Sequence, residues 1–259
     1  MKKRYSSKHY WAIKLLPSLV LLSYFVVVNI VLATPPKGSA ERTRPINTGS
    51  NGHRTACSRT KGKETLTVLS PIYGKTVSTR PVFSWFVPDT ESYPMELYLY
   101  EDTEKGKGEE ILAEIPLQSK LGIMNYTFPQ DKIALSVGKK YIWQIVLMCD
   151  KNNPIKDVIA EAVFEVVDIP ASLNSQLKRA NTNKERSELY AQFGFWYDAF
   201  AEINNDSINR ELKLSLLERI RQSEINTASG VLEDRDKKDL EDQAERLRLV
   251  ISAEKARQK

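Results

Sequence analysis

The chain has 259 residues, of which 41% are apolar, 27% charged and 9% aromatic. That is enough for one sizeable domain or two small ones, and it excludes a coreless disordered chain and a multi-pass membrane protein. The net charge of +5 collects at one end, because Lys2, Lys3, Arg4, Lys8 and Lys14 precede any acid and leave 33 basic against 33 acidic residues from Thr34 onward. A neutral remainder lacks the clustered positive excess that nucleic acid selects, so no nucleic-acid partner is expected.

Residues 1–33 begin with the basic MKKRYSSKHYWAIKLLP and continue into the apolar SLVLLSYFVVVNIVLA. Val31 and Ala33 take the minus-three and minus-one places of a cleavage site, with Thr34-Pro35-Pro36 behind them. The segment reads as a secretory signal. The competing reading is a retained anchor, since Leu15 to Ala33 is apolar over 19 residues and about 20 cross a hydrocarbon core. In both, the basic end stays cytoplasmic and the remainder is exported, to the periplasm or cell envelope. Membrane contact is then expected only through an uncleaved N-terminal segment.

Residues 34–63 are rich in Pro, Gly, Ser, Thr, Asn and Arg. With so few apolar side chains to offset the entropy of ordering, they read as a flexible linker. Cys57 lies near its end and Cys149 far downstream; in an oxidising compartment the two have one intramolecular pairing. A disulfide is expected, with two reduced thiols as the alternative.

Residues 64–168 carry seven short strand-like runs: 66–69, 82–87, 95–100, 110–115, 123–128, 141–148 and 158–167. Leu97 and Leu99 share one face of their run, as do Tyr141, Trp143, Ile145 and Leu147. Two antiparallel sheets covering each other's apolar faces, a β-sandwich, satisfy this pattern. The run Leu135-Ser-Val-Gly-Lys-Lys-Tyr141-Ile-Trp143 resembles the Leu-x-Pro-Gly-x-x-Tyr approach to the sixth strand of fibronectin type III domains, with Val137 in place of Pro. The resemblance implies an immunoglobulin/fibronectin-like fold in which the Tyr141 hydroxyl bonds back to the preceding connection. Trp85 and Trp143 read as core, with carbohydrate stacking as the alternative.

From Asp168-Ile-Pro170 the period changes to near 3.6, giving a small α-helical hairpin region over 169–225. Pro170 fits a first helical turn before Leu173 and Leu177. Asn183 reads as the cap of KERSELYAQF, and Gly194 interrupts before the apolar FWYDAFAEI. The Tyr190, Gly194, Tyr197 and Ala199 spacing resembles a tetratricopeptide hairpin turn, which implies packing with LKLSLLERI at 212–220 because one hairpin cannot stand alone. Asn204 to Ile208 reads as a loop. Residues 226–259 read as a charged C-terminal helix or tail, with Leu232, Leu240, Leu247 and Ile251 too sparse for a sustained heptad.

Taken together, Leu66-x-x-Leu69-x-Pro71, Thr79-Arg80-Pro81-x-Phe83-x-Trp85-Phe86-Val87-Pro88, Tyr141-x-Trp143 with Cys149-Asp150, and Leu189-Tyr190-Ala191-x-x-Gly194-x-Trp196-Tyr197-Asp198-Ala199 resemble a cyanobacterial family known only as a domain of unknown function, DUF928. The resemblance spans residues 53 to 225 and implies an exported N-terminus. It brings no reaction, ligand or catalytic residue with it. The chain departs from that family in its low glycine content before Cys57 and its charged tail after Ser229.

His9 and His53 are the chain's histidines, one in the signal and one in the linker, which excludes a histidine triad on the folded part and makes a multi-histidine metal site untenable. Dinucleotide, phosphate-loop and nucleophile-elbow motifs are missing. Carboxylate pairs such as Asp89 with Glu91, or Asp150 with Asp157, are the remaining enzymatic option. Asp198 is expected to cap a helix start. No catalytic, cofactor-binding or metal residue is therefore assigned, and no cofactor. The expected function is a non-enzymatic envelope protein that binds or scaffolds an envelope protein or polymer; the alternative is an extracytoplasmic carbohydrate-active or other hydrolase. Phe195, Trp196, Tyr197 and Asp198 are the candidate interface, either cementing the two regions or facing a partner.

Overall fold

The computed structural model describes Cys57 and residues 64–203, 210–231 and 233–257. The expected signal, most of the expected linker, the segment 204–208 expected to be a loop, and Leu232 lie outside them. Among the described residues, eight strands precede five α-helices. One sheet has the order β1 (Thr67–Val68), β3 (Val82–Val87), β6 (Gly122–Thr127). The other has the order β2 (Tyr73–Thr76), β8 (Val158–Val166), β7 (Lys140–Leu147), β4 (Pro94–Thr103), β5 (Gly106–Gln118). Every neighbouring pair is antiparallel except β2 with β8.

The inward faces of both sheets share one core, as their alternation requires. Phe83, Trp85 and Val87 meet Leu97, Leu99, Trp143, Ile145 and Phe164 there, and the Phe83 and Trp143 ring centroids are 5.0 Å apart. β4 alternates buried and half-buried residues, whereas all six residues of β3 are buried. Helices explain the difference. Phe86 points away from the first core into a second one, with Leu69, Phe200, Leu217, Leu247 and Val250, so β3 is covered on both faces and loses its polar side.

The seven expected runs all contain strands; the eighth strand, β2, was not legible. Its sequence YGKT has no apolar alternation, and it joins β8 through backbone pairing from Tyr73↔Val163 to Thr76↔Val166. Before β7, the Lys139 amide bonds the Ser136 carbonyl (3.4 Å) and Gly138 has φ +82°. This is a type II turn, in which Val137 occupies the position where Pro is favoured but not required. The Ser136 amide donates to the Tyr141 hydroxyl (2.9 Å).

The helices are α1 (Ala171–Leu177), α2 (Asn183–Gln192), α3 (Trp196–Ile203), α4 (Arg210–Gly230) and α5 (Asp234–Ala256). Pro170 stands at the N-cap of α1 rather than in its first turn. Thr182, not Asn183, caps α2: its hydroxyl accepts from the Glu185 amide while the Glu185 carboxylate accepts from the Thr182 amide, a reciprocal capping box. α2 ends at Gly194 with φ +79°, where the Phe195 amide bonds the Tyr190 carbonyl and the Gly194 amide that of Ala191, a Schellman ending. The expected division at residue 226 falls inside α4. α5 returns antiparallel along α4, since Arg210 at the start of α4 bonds the Glu254 carbonyl near the end of α5. Leu240, Ala244, Leu247, Val250 and Ile251 are buried, so α5 completes the second core.

Candidate functional site

Phe195, Trp196, Tyr197 and Asp198 are all buried, with 5%, 7%, 3% and 6% exposure. Consecutive residues enter different cores: Trp196 joins the helical one and Tyr197 the sheet one. The Tyr197 hydroxyl donates to Ser70 Oγ (3.1 Å) and accepts from Trp143 Nε1 (3.0 Å); burial pushes its pKa up to about 12. Gly74 makes room for its ring, because a Cβ there would lie 2.8 Å from Tyr197 Cε2. Asp198 reaches across to the end of β2, accepting from the Thr76 hydroxyl (2.9 Å) and the Val77 amide (3.1 Å). Desolvation dominates over those bonds and raises its carboxyl to about 6. All four residues are thus buried, and Tyr197 and Asp198 tie α3 to the sheets.

Cys57 and Cys149 form a disulfide across a sequence separation of 92 residues. The Cys57 amide donates to Asp89 (3.3 Å) and the Cys149 amide to Asp157 (3.2 Å). Asp150 pairs with Lys156 (2.5 Å), and Glu91 accepts from the Tyr93 hydroxyl (2.7 Å). Of the carboxylates that sequence offered as catalytic pairs, Asp89, Asp150 and Asp157 thus hold contacts beside the bridge, and Glu91 holds Tyr93. Trp85 and Trp143 have no exposed surface for a sugar to stack on.

An open concavity among the described residues lies elsewhere, between the α2–α3 corner and α4. It measures about 520 Å³ and is lined by Ala191, Trp196, Arg219, Gln222, Ser223, Asn226 and Thr227. The Arg219 guanidinium sits 5.5 Å from the centre of the Trp196 ring, a cation–π contact that holds the charge at the groove. Gln222 Nε2 donates to Asn226 Oδ1 (3.0 Å), and the Thr227 hydroxyl to the Ser223 carbonyl (2.8 Å). Sequence reasoning did not find this site. Its signal was a polar stripe at 219, 222, 223, 226 and 227, whose spacing of three and four residues places all five on one helix face. Among the described residues no three His, Cys, Asp or Glu side chains form a group able to hold a metal, and no helix is long and apolar enough to cross a membrane.

Fold and site together define a mixed protein of antiparallel sheets followed by five helices, with a polar groove on its helical part. The family described as a Domain of Unknown Function, DUF928, matches residues 47–225. That span is more than half of the chain, and the protein belongs to this family. Among proteins with curated descriptions, none matches it.

Proposed function

We propose that the protein is an exported, non-enzymatic envelope module in which a fibronectin type III-like sandwich is fused to a helical layer that binds an envelope protein or polymer. The strand order supports the fold: leaving out β2, the first, second and fifth strands form one sheet and the third, fourth, sixth and seventh the other, the division found in immunoglobulin-like sandwiches. The Ser136–Tyr141 bond resembles a tyrosine corner, and the α2–Gly194–α3 turn is compatible with a tetratricopeptide-like hairpin.

The observation that carries the functional reading is the composition of the groove. Its lining offers one guanidinium with amide and hydroxyl groups, a set suited to holding a ligand and poor in groups that transfer protons or attack bonds. The hydrolase reading needs two acids facing one cleft, whereas Asp89, Asp150 and Asp157 are engaged beside the disulfide and Glu91 with Tyr93.

Export is tested by the intact mass of the protein from its native envelope, alkylated with and without reduction. A chain beginning at Thr34 that gains two alkyl groups only after reduction supports the reading; a full-length chain alkylated without reduction opposes a cleaved, bridged module. Binding is tested in the envelope with a photo-crosslinking amino acid at position 226, using exposed position 151 as control. Adducts specific to 226 support the groove as the binding site, and their absence removes it.

A further inference from the structure

The groove on α4 has a charge preference, and we propose that its ligand is an extended acidic peptide segment of an envelope protein, with a carboxylate seated on Arg219. This inference rests on the binding-module reading and specifies the chemistry of that same site. Arg219 is half-buried and contacts the Trp196 ring; among the described residues it forms no ion pair. The lining contains one cation and no acid. A guanidinium in this setting offers donors in a planar fork that matches a carboxylate.

The remaining lining favours a peptide over a sugar. Trp196 is 7% exposed and its ring face is covered by Arg219, so a pyranose has no aromatic surface to stack on. Arg219, Ser223 and Thr227 form one row along α4, with Gln222 and Asn226 beside them. Residues four apart on a helix rise about 6 Å, close to the roughly 6.6 Å that two residues of extended chain cover. An extended peptide running along α4 therefore meets a polar side chain at each two-residue step. Gln222, Asn226 and Thr227 are exposed, so its backbone amides reach them without displacing core.

The probes are a fluorescein-labelled peptide of alternating Gly and Glu and its Gly–Gln counterpart, titrated by anisotropy into the full exported chain. The acidic peptide is expected to bind about tenfold more tightly, the effect of one charge-assisted contact. Arg219→Gln is expected to equalise the two peptides and Arg219→Lys to retain part of the preference. Asn226→Asp alters an exposed side chain and leaves the core intact; it is expected to weaken the acidic peptide severalfold. Equal affinities in the wild type, an unchanged preference in Arg219→Gln, or no binding of either peptide overturns the proposal. Tighter binding of an oligogalacturonate than of the acidic peptide also overturns it and assigns the groove to an acidic polymer. Adducts at position 226 in the envelope without a charge preference sink the ligand chemistry and leave the binding module standing. Absence of adducts sinks the module itself.

Discussion

Tyr197 and Asp198 show how two adjacent side chains join two regions by different physics. Tyr197 brings a large ring into the sheet core, and its hydroxyl satisfies the buried Trp143 indole N–H. Tyr197→Phe keeps the ring but leaves that donor without a partner, while Ser70 keeps its bond to the Pro71 carbonyl, so it is expected to cost about 1–3 kcal/mol of stability in urea unfolding. Asp198 carries a penalty instead, since burial raises its carboxyl to about 6 in the folded protein while an unfolded aspartate titrates near 3.9. The folded state thus holds a proton that the unfolded state has released between those values. Stability is expected to fall as pH rises from about 4 to 6, by on the order of 2–3 kcal/mol from this group, and to regain that amount on acidification. Asp157 and Asp239 are shifted in the same direction by burial, and Glu218 in the opposite one by Arg221. The test is therefore a difference: Asp198→Asn should flatten the pH dependence relative to wild type, and parallel profiles would refute the assignment.

At the level of elements, the tight corner between α2 and α3 sets where Trp196 and Tyr197 point. Gly194 has φ +79° and open space where a Cβ would sit, so backbone strain alone resists substitution. Gly194→Ala is expected to destabilise by about 1 kcal/mol, with a local rise in amide exchange across Tyr190–Phe195. An unchanged stability would show that the corner tolerates another ending. The strands behave differently from one another for the same kind of local reason. β4 and β7 carry alternation that is readable from their residues, whereas β3 is apolar except for Ser84 and buried throughout because helices cover its outer face. β2 carries little pattern at all, since β8 and the close packing of Tyr197 against Gly74 define it. α5 was legible as a helix, but its role was not: Gln243 donates to the Val68 and Ser70 carbonyls (2.9 and 3.0 Å). A buried glutamine thereby secures the β1 segment, and a polar residue in a charged helix gives no hint of that in sequence.

Across the whole molecule, the Cys57–Cys149 bridge ties Cys57 to the loop after β7. Closing a loop of 92 residues restricts the unfolded chain, which corresponds to about 4–5 kcal/mol in the chain-entropy model. The double variant Cys57→Ser, Cys149→Ser is expected to lose stability of that order in denaturant unfolding, and a loss below about 1 kcal/mol would mean that the unfolded chain is already restricted. The sequence by itself determined what depends on composition and local period: the basic and apolar N-terminus, the neutral remainder, the seven strand runs, the change to helical spacing at Pro170, the single cysteine pairing and the family resemblance. Each of these is written in near neighbours along the chain or in a count of residues. Only the tertiary structure decided that Asp198 reaches β2, that Phe195–Asp198 are buried, that α5 completes the second core and that Arg219 stands over Trp196 beside a groove. Those outcomes join residues from 23 positions apart, as Trp196 and Arg219 are, to 175 apart, as Val68 and Gln243 are. Long-range partners are selected by packing and by the cost of unsatisfied buried polar groups, and neither leaves a periodic trace in the chain.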